Sequence, residues 1–350
     1  MPLITDPVHA REIYQEARER RVALANICPE HHRGIEAALL GLHHFGLRIG
    51  VPDLPIILSF TANYPGRPQL QLMTACRDAL FGFDIMVGDL RTYLSKSGPF
   101  HALRVMVHLD HGMPQADAPL LEHRLEHLTS VMFDASEYPF DENIRLTAAY
   151  VENVRGKVLV EGAVDEIAEA SSGKMKNEPT TVEQAVRFMR ETGVDLIVAN
   201  LGTEHRAAES EIRYRGDRAR EITAALGRVV VLHGTSSLRT DELASLKDDG
   251  IIKVNVWTHF ERIGALAIVE HILHDLPNIL SDSEIRQLQC EGLLGQKYSD
   301  ANRLAAGTST KPGPKLSHFA ENTRREAWVN AVAGEVERYL DFFGYERFAR

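Results

Sequence analysis

Apolar and polar positions fall into two alternating patterns along this chain. Eight short runs rich in β-branched residues recur: "RVALANI" (21–27), "LPIILSFTA" (54–62), "LRVMVHLD" (103–110), "SVMFDAS" (130–136), "KVLVEGA" (157–163), "DLIVANLG" (195–202), "RVVVLHG" (228–234) and "IIKVNVW" (251–257). Several are almost continuously apolar, the pattern of parallel strands buried on both faces. Stretches with helical spacing lie between them, such as "FDENIRLTAAYVENVRG" (140–156), "TTVEQAVRFMRETG" (180–193) and "TDELASLKDDG" (240–250). Thr180 and Thr240 read as N-caps, with Glu183 completing a capping box for Thr180. Gly156, Gly193 and Gly250 read as helix ends, where a glycine takes the left-handed conformation.

Eight strand–helix repeats predict an α/β fold, a (β/α)8 TIM barrel spanning residues 1–275. The alternative, a doubly wound sheet, usually carries a glycine-rich turn after its first strand, and "ANICPEHH" has none. Residues 276–350 read as a C-terminal helical extension, with helices at 282–295 and about 319–343 around a Gly/Pro/Ser/Thr/Lys-rich linker at 305–317. The extension is expected to pack on the barrel or on a partner subunit.

A barrel of this kind keeps its chemistry at the C-terminal ends of its strands, and the polar residues cluster there. The second run ends in Ser59 and Thr61, the third in His108, Asp110 and His111, the fourth in Asp134 and Ser136, and the fifth in Glu161. The sixth ends in Asn200, Gly202, Thr203, Glu204 and His205, the seventh in His233, Gly234, Thr235 and Ser236, and the eighth in Asn255 and Thr258. The chain has 16 histidines, and a single one is more often structural than a ligand. Three at three strand ends, His111, His205 and His233, form the ligand set of a catalytic Zn²⁺ site. Asp110 is either a general acid/base beside that metal or a carboxylate that orients a ligating histidine. His108 reads as a supporting or packing residue. "LHGTSS" and "KVNVWT" place Gly234, Ser236, Asn255 and Thr258 where barrels often cradle a phosphate. Ordinary βα turns with capping hydroxyls would look the same.

Composition narrows the function further. The 350 residues are 44 % hydrophobic and 25 % charged, which is ordinary globular composition. A net charge of −10 disfavours a nucleic-acid partner. Cys28, Cys76 and Cys290 form neither a disulfide framework nor a CxxC motif. The N-terminus shows no secretory pattern, and no run of 18 apolar residues occurs, so a cytoplasmic location without membrane contact is expected.

Five motifs together resemble a known family. "VHLDHG", "MFDASEYPFDENI", "TGVDLIVANLGTEH", "LHGTSS" and "KVNVWT" resemble, in order and spacing, those of the zinc-dependent class II ketose-bisphosphate aldolases, over roughly residues 15–275. The resemblance implies reversible aldol cleavage of a ketose phosphate, with dihydroxyacetone phosphate or a close analogue as the half that passes through an enediolate. It implies His111, His205 and His233 as zinc ligands and Asp110 as the proton carrier at the C4 hydroxyl. By the same resemblance Asn255 holds the dihydroxyacetone part, and Gly234, Ser236 and Thr258 bind its phosphate. Gly202 lies in a loop that helps bind phosphate and a monovalent cation, and Thr61 falls at a substrate-binding serine. An acid in the loop after the fifth strand, among Asp165, Glu166, Glu169 and Glu178, would move the carbon-bound proton. The resemblance also implies a homodimer or homotetramer.

The departures fall around the phosphate and the second strand-5 acid. Ala163 replaces a metal-associated glutamate, and Glu209 stands where a phosphate-approaching lysine is usual. Arg206, Thr235 and Ser237 replace glycines, and Trp257 and His259 flank Thr258. Arg206 is a candidate replacement for the lysine, as a bidentate phosphate partner. The departures bear more on which ketose phosphate is used than on the aldol chemistry. Two other readings are a metal-dependent barrel hydrolase and a non-catalytic barrel that binds a sugar phosphate or phosphonate.

Overall fold

The computed structural model describes residues 3–165, 179–203, 214–295 and 314–349. A short strand β1 (Leu3–Ile4) precedes eight others: β2 (Leu24–Ile27), β3 (Pro55–Phe60), β4 (Arg104–Gly112), β5 (Ser130–Phe133), β6 (Leu159–Ala163), β7 (Leu196–Val198), β8 (Val230–Leu232) and β9 (Ile251–Val256). From β2 to β9 each strand pairs in parallel with the next, and β9 pairs back onto β2, so the sheet closes. This is the expected (β/α)8 barrel, and each of the eight apolar runs overlaps one of its strands, β4 alone running past its run to Gly112. β1, which the hydrophobic pattern did not reveal, lies beside the start of β4, Leu3 opposite Val105.

Two of the expected helix boundaries shift. The helix Val182–Thr192 is capped by Thr181, and its capping box is closed by Gln184, in place of Thr180 and Glu183. Thr180 is occupied elsewhere. It is fully buried, its hydroxyl donates to Asp165 at 2.6 Å and accepts from the Asn200 backbone N–H at 2.8 Å. Tying the ends of β6 and β7 together therefore delays the helix by one residue. Thr240 is the first helical residue of Thr240–Ser245 and Arg239 the cap, so Gly250 lies beyond the helix end. Gly193 does end its helix in the left-handed region, at φ 71°.

The C-terminal segment packs on the barrel. Helix Glu321–Phe343 lies against the helices His32–Ile49 and Thr258–Ile279. A Cβ on Gly41 would come within 2.5 Å of the Ala333 carbonyl oxygen, so only glycine permits that approach. Past this helix, Tyr345 inserts at the N-terminal ends of the strands. Its hydroxyl accepts from the Ala25 N–H at 3.0 Å and donates to the Pro55 carbonyl at 2.9 Å. Val332, Val336, Phe343, Tyr345 and Phe348 belong to the same apolar core as the barrel strands and helices. The barrel floor is thereby sealed, and the C-terminal mouth is left for chemistry. Among the described residues, no helix is long and apolar enough to cross a membrane.

Candidate active site

The site begins with an irregularity in β4. Strand alternation sends adjacent side chains to opposite faces, so a regular strand would keep Asp110 and His111 apart. Between Leu109 and Gly112 the register with β5 slips by one residue, and His111 adopts φ 48°. A bulge of this kind bends the strand and re-aims side chains. Asp110 and His111 consequently both line the pocket at the mouth. Gly112 allows it, because a Cβ there would meet the Met132 carbonyl oxygen at 3.0 Å and Leu121 at 2.9 Å.

Asp110 is 1 % exposed. Its Oδ1 accepts from Asn255 Nδ2 at 3.2 Å, and the same amide nitrogen lies 3.0 Å from His233 Nε2. Asn255 is in turn oriented by Asn26, whose Nδ2 donates to its Oδ1 at 2.6 Å. Burial opposes ionisation of Asp110, but His111, His233 and Arg67 outweigh it and hold the carboxyl well below the usual range. His111 Nδ1 is 2.6 Å from Asp134 Oδ2, and the Tyr64 ring stacks on the imidazole at 4.1 Å. A carboxylate on Nδ1 fixes the tautomer and presents Nε2, as in metal sites with a carboxylate behind the ligating imidazole. Burial disfavours charge on His233 and lowers its pKa, which keeps the ring neutral as a ligand must be.

Beneath these residues lies a buried charged layer. Lys253 Nζ donates to Glu161 Oε2 at 2.7 Å and approaches His108 Nε2 at 3.0 Å, while His108 Nδ1 reaches Ser130 Oγ at 2.8 Å. Since Lys253 can only donate, His108 Nε2 accepts and Nδ1 carries the proton. Burial, then Lys253, lowers the His108 pKa to about 3. Burial alone would raise Glu161, yet Lys253 and His108 bring it to about 2. Glu161 Oε1 also lies 3.6 Å from His233 Nε2, so the layer supports the mouth residues from below.

Two threonines hold the mouth by backbone contacts. Thr203 Oγ1 donates to the His233 carbonyl at 2.7 Å, and Thr235 Oγ1 to the Asn255 carbonyl at 2.8 Å. Thr235, at a position where the family motif has glycine, thus fixes the neighbouring strand end. Gly234 (φ 72°), Ser236 and Thr258 line the pocket, the last at the N-terminus of helix Thr258–Ile279.

Not every expected residue comes here. Thr61 is buried away from the pocket lining, with its hydroxyl donated to the Arg67 carbonyl. It anchors the β3 loop, because that loop folds back over Thr61. Gly202 (φ 77°) takes its place in the β7 turn, donating to Asn200 Oδ1 at 3.0 Å, without lining the pocket among the described residues. His205, Arg206, Glu166, Glu169 and Glu178 lie outside the described residues. Conversely, the reading from sequence missed Cys28, Tyr64 and Arg67 as pocket residues. "TANYPGRPQL" offered a signal, an aromatic and an arginine in a Pro/Gly loop after a barrel strand.

Asp110, His111 and His233 each offer one donor atom, all within 4.8 Å of one another. Two imidazoles and a carboxylate suit a borderline cation such as Zn²⁺, so the described residues fit a metal.

Comparison with known proteins agrees with the barrel fold. The family model for fructose-bisphosphate aldolase class-II matches residues 8–289. A fructose-bisphosphate aldolase of Streptococcus pyogenes is 35 % identical over 244 residues, covering 69 % of this chain and 71 % of that protein. A 6-phospho-5-dehydro-2-deoxy-D-gluconate aldolase of Shouchella clausii is 31 % identical over 189 residues, covering 52 % of this chain. The match spans 61 % of the Shouchella enzyme's length, and 53 % of a fructose-bisphosphate aldolase from Streptococcus pneumoniae. Among solved structures, fructose-bisphosphate aldolase from Campylobacter jejuni superposes with a TM-score of 0.70 at 14 % identity, covering 97 % of this chain and 95 % of that one. The YdjI aldolase of Escherichia coli gives 0.63 at 18 % identity, covering 97 % and 98 %. The matched family model and the Streptococcus pyogenes relative lead to one conclusion: this chain belongs to the class II fructose-bisphosphate aldolase family.

Proposed function

We propose that this protein is a zinc-dependent aldehyde-lyase. It cleaves and forms a ketose phosphate reversibly, with dihydroxyacetone phosphate or a close analogue as donor. The observation that carries this reading is the convergence of Asp110, His111 and His233 at the barrel mouth, with Asn255 between Asp110 and His233. His111, His233 and His205 would hold the Zn²⁺, which when bound supplies Lewis-acid stabilisation of negative charge on the ketose oxygens. Asp110, kept ionised by its neighbours, takes the proton of the C4 hydroxyl in cleavage and returns it in condensation. Asn255 orients the dihydroxyacetone part.

Gly234, Ser236 and Thr258 take the phosphate at a turn and a helix N-terminus, where N–H groups and the helix dipole favour an anion. Arg206 adds the positive charge that Glu209 does not, and Gly202 serves the phosphate loop and a monovalent cation. One acid of the loop after β6, among Asp165, Glu166, Glu169 and Glu178, moves the carbon-bound proton. The protein acts in the cytoplasm as a homodimer or homotetramer on a phosphorylated sugar. The names of its relatives put fructose 1,6-bisphosphate and a phosphorylated deoxy-keto-gluconate among the substrates to test.

A retro-aldol assay over a panel of ketose phosphates tests the proposal, before and after chelation and with Zn²⁺ restored. The expected result is cleavage that chelation abolishes and Zn²⁺ recovers. Cleavage that persists in metal-free protein carrying His205→Ala would overturn the metal mechanism.

A further inference from the structure

The pocket has a second charged group that the proposed chemistry leaves unused. Arg67, in the loop after β3, is 9 % exposed, yet lines the pocket. Among the described residues its guanidinium donates from Nη2 to Gln69 Oε1 at 2.8 Å, the Cys28 thiol adds a weaker contact, and its buried Nε has no hydrogen-bond partner. Glu30 Oε1 and Asp110 Oδ2 approach no closer than 3.8 and 3.7 Å. A buried guanidinium with unused donors is costly unless something else meets it.

Its position is held from several sides. Gln69 donates to the Cys28 and Pro29 carbonyls at 3.3 and 3.0 Å, and its Oε1 also accepts from the Thr61 N–H at 2.8 Å. Below the guanidinium lies Trp257, with the ring centroid 4.8 Å away. An arginine fixed by an amide and an aromatic face is pre-organised for a planar anion.

The two oxygens of Asp110 divide the pocket. Oδ1 faces Asn255, which in the proposed function orients the donor; Oδ2 faces Arg67. We infer that Arg67 binds a carboxylate on the aldehyde half of the substrate and so selects short oxo-acids as the acceptor. This inference rests on the donor reading above. The new carbinol oxygen must lie within hydrogen-bond reach of Asp110, and the carboxylate within reach of Arg67. With the two side chains 3.7 Å apart, about one or two carbons separate those groups. In the condensation the donor carbon gives up a proton and bonds to the aldehyde carbon, whose oxygen becomes the hydroxyl. Glu30 and Asp110 beside Arg67 favour a monoanion over a phosphate dianion.

The test uses Zn²⁺-loaded, full-length protein and dihydroxyacetone phosphate. Condensation is measured with succinic semialdehyde, with its neutral 4-oxobutanamide analogue, and with glyceraldehyde 3-phosphate against glyceraldehyde. Solvent deuterium exchange into the donor, followed by NMR without aldehyde, reports the donor reading separately. Wild type is expected to favour the carboxylate aldehyde over the amide by roughly 10- to 100-fold in kcat/KM, the effect of one charge-assisted hydrogen-bond pair. Arg67→Met is expected to collapse that ratio towards one and Arg67→Lys to restore part of it. Because the readout is a ratio, a general loss of activity cancels. Wild type that exchanges donor deuterium but treats acid and amide alike overturns the role of Arg67 and leaves the donor reading intact. So does a preference confined to the phosphorylated aldehyde, or an Arg67→Met that raises only the KM of the donor. Wild type that exchanges no donor deuterium overturns both.

Discussion

Asp110 is a carboxylate that burial alone would neutralise and that its neighbours keep charged. In the proposed mechanism its value is that ionised state beside Asn255 and His233. Asp110→Asn keeps the shape and removes the base, so kcat for cleavage is expected to fall 10²- to 10⁴-fold, with a smaller change in KM, by steady-state assay. His31, just after Glu30 in the loop following β2, is a second shifted group. Its Nδ1 caps helix His32–Ile49 by accepting from the Arg33 N–H at 3.2 Å. Burial, then His32 and Arg33, lowers its pKa to about 4 from 6.5. The unfolded chain therefore binds the proton first, so this contribution is complete above pH 6.5 and is lost as pH falls through 4. Asparagine accepts the same bond without titrating. Thermal melts of His31→Asn are expected to lose less Tm than wild type between pH 6.5 and 4.

At the scale of elements, the bulge in β4 matters most. Strict strand alternation would place Asp110 and His111 on opposite faces, whereas reading "HLDHG" as a strand end that relaxes into a turn lets both reach the mouth. The register slip against β5, with His111 at φ 48°, brings them to one pocket. A non-glycine residue in that region costs roughly 1–3 kcal/mol, which the Asp134 contact and the Tyr64 stack offset. Gly112→Ala would force a Cβ against the Met132 carbonyl and two leucines. It is expected to cost about 1–3 kcal/mol, read by urea denaturation, and to displace His111 enough to weaken Zn²⁺ binding in a titration. Thr180 teaches a similar lesson: local spacing made it a cap, and contacts to Asp165 and Asn200 claimed it instead.

Across the whole molecule, the barrel interior carries a charge pair where an apolar layer would have sufficed for packing. Lys253 on β9 meets Glu161 on β6, both 1 % exposed or less. Lys253→Met leaves Glu161 buried without its ammonium partner. A loss of about 3–5 kcal/mol is expected by chemical denaturation, while Lys253→Met with Glu161→Leu should recover most of it. If the double variant folds stably but binds Zn²⁺ or substrate poorly, the pair is there to position His233 and His108.

The sequence by itself determined the barrel, because strand and helix periods are local and a strand buried on both faces must be apolar. It also named Asp110, His111, His233 and Asn255, since chemistry in a barrel gathers at strand ends and their motifs are contiguous. Tertiary structure decided what lies between distant segments. The bulge depends on β5, the Glu161–Lys253 pair spans the barrel, and Arg67 meets Asp110 only after the β3 loop folds over the mouth. Thr61 shows the reverse case, a well-placed hydroxyl turned inward by that same loop. Such contacts join residues tens of positions apart, where no periodicity in the chain records them.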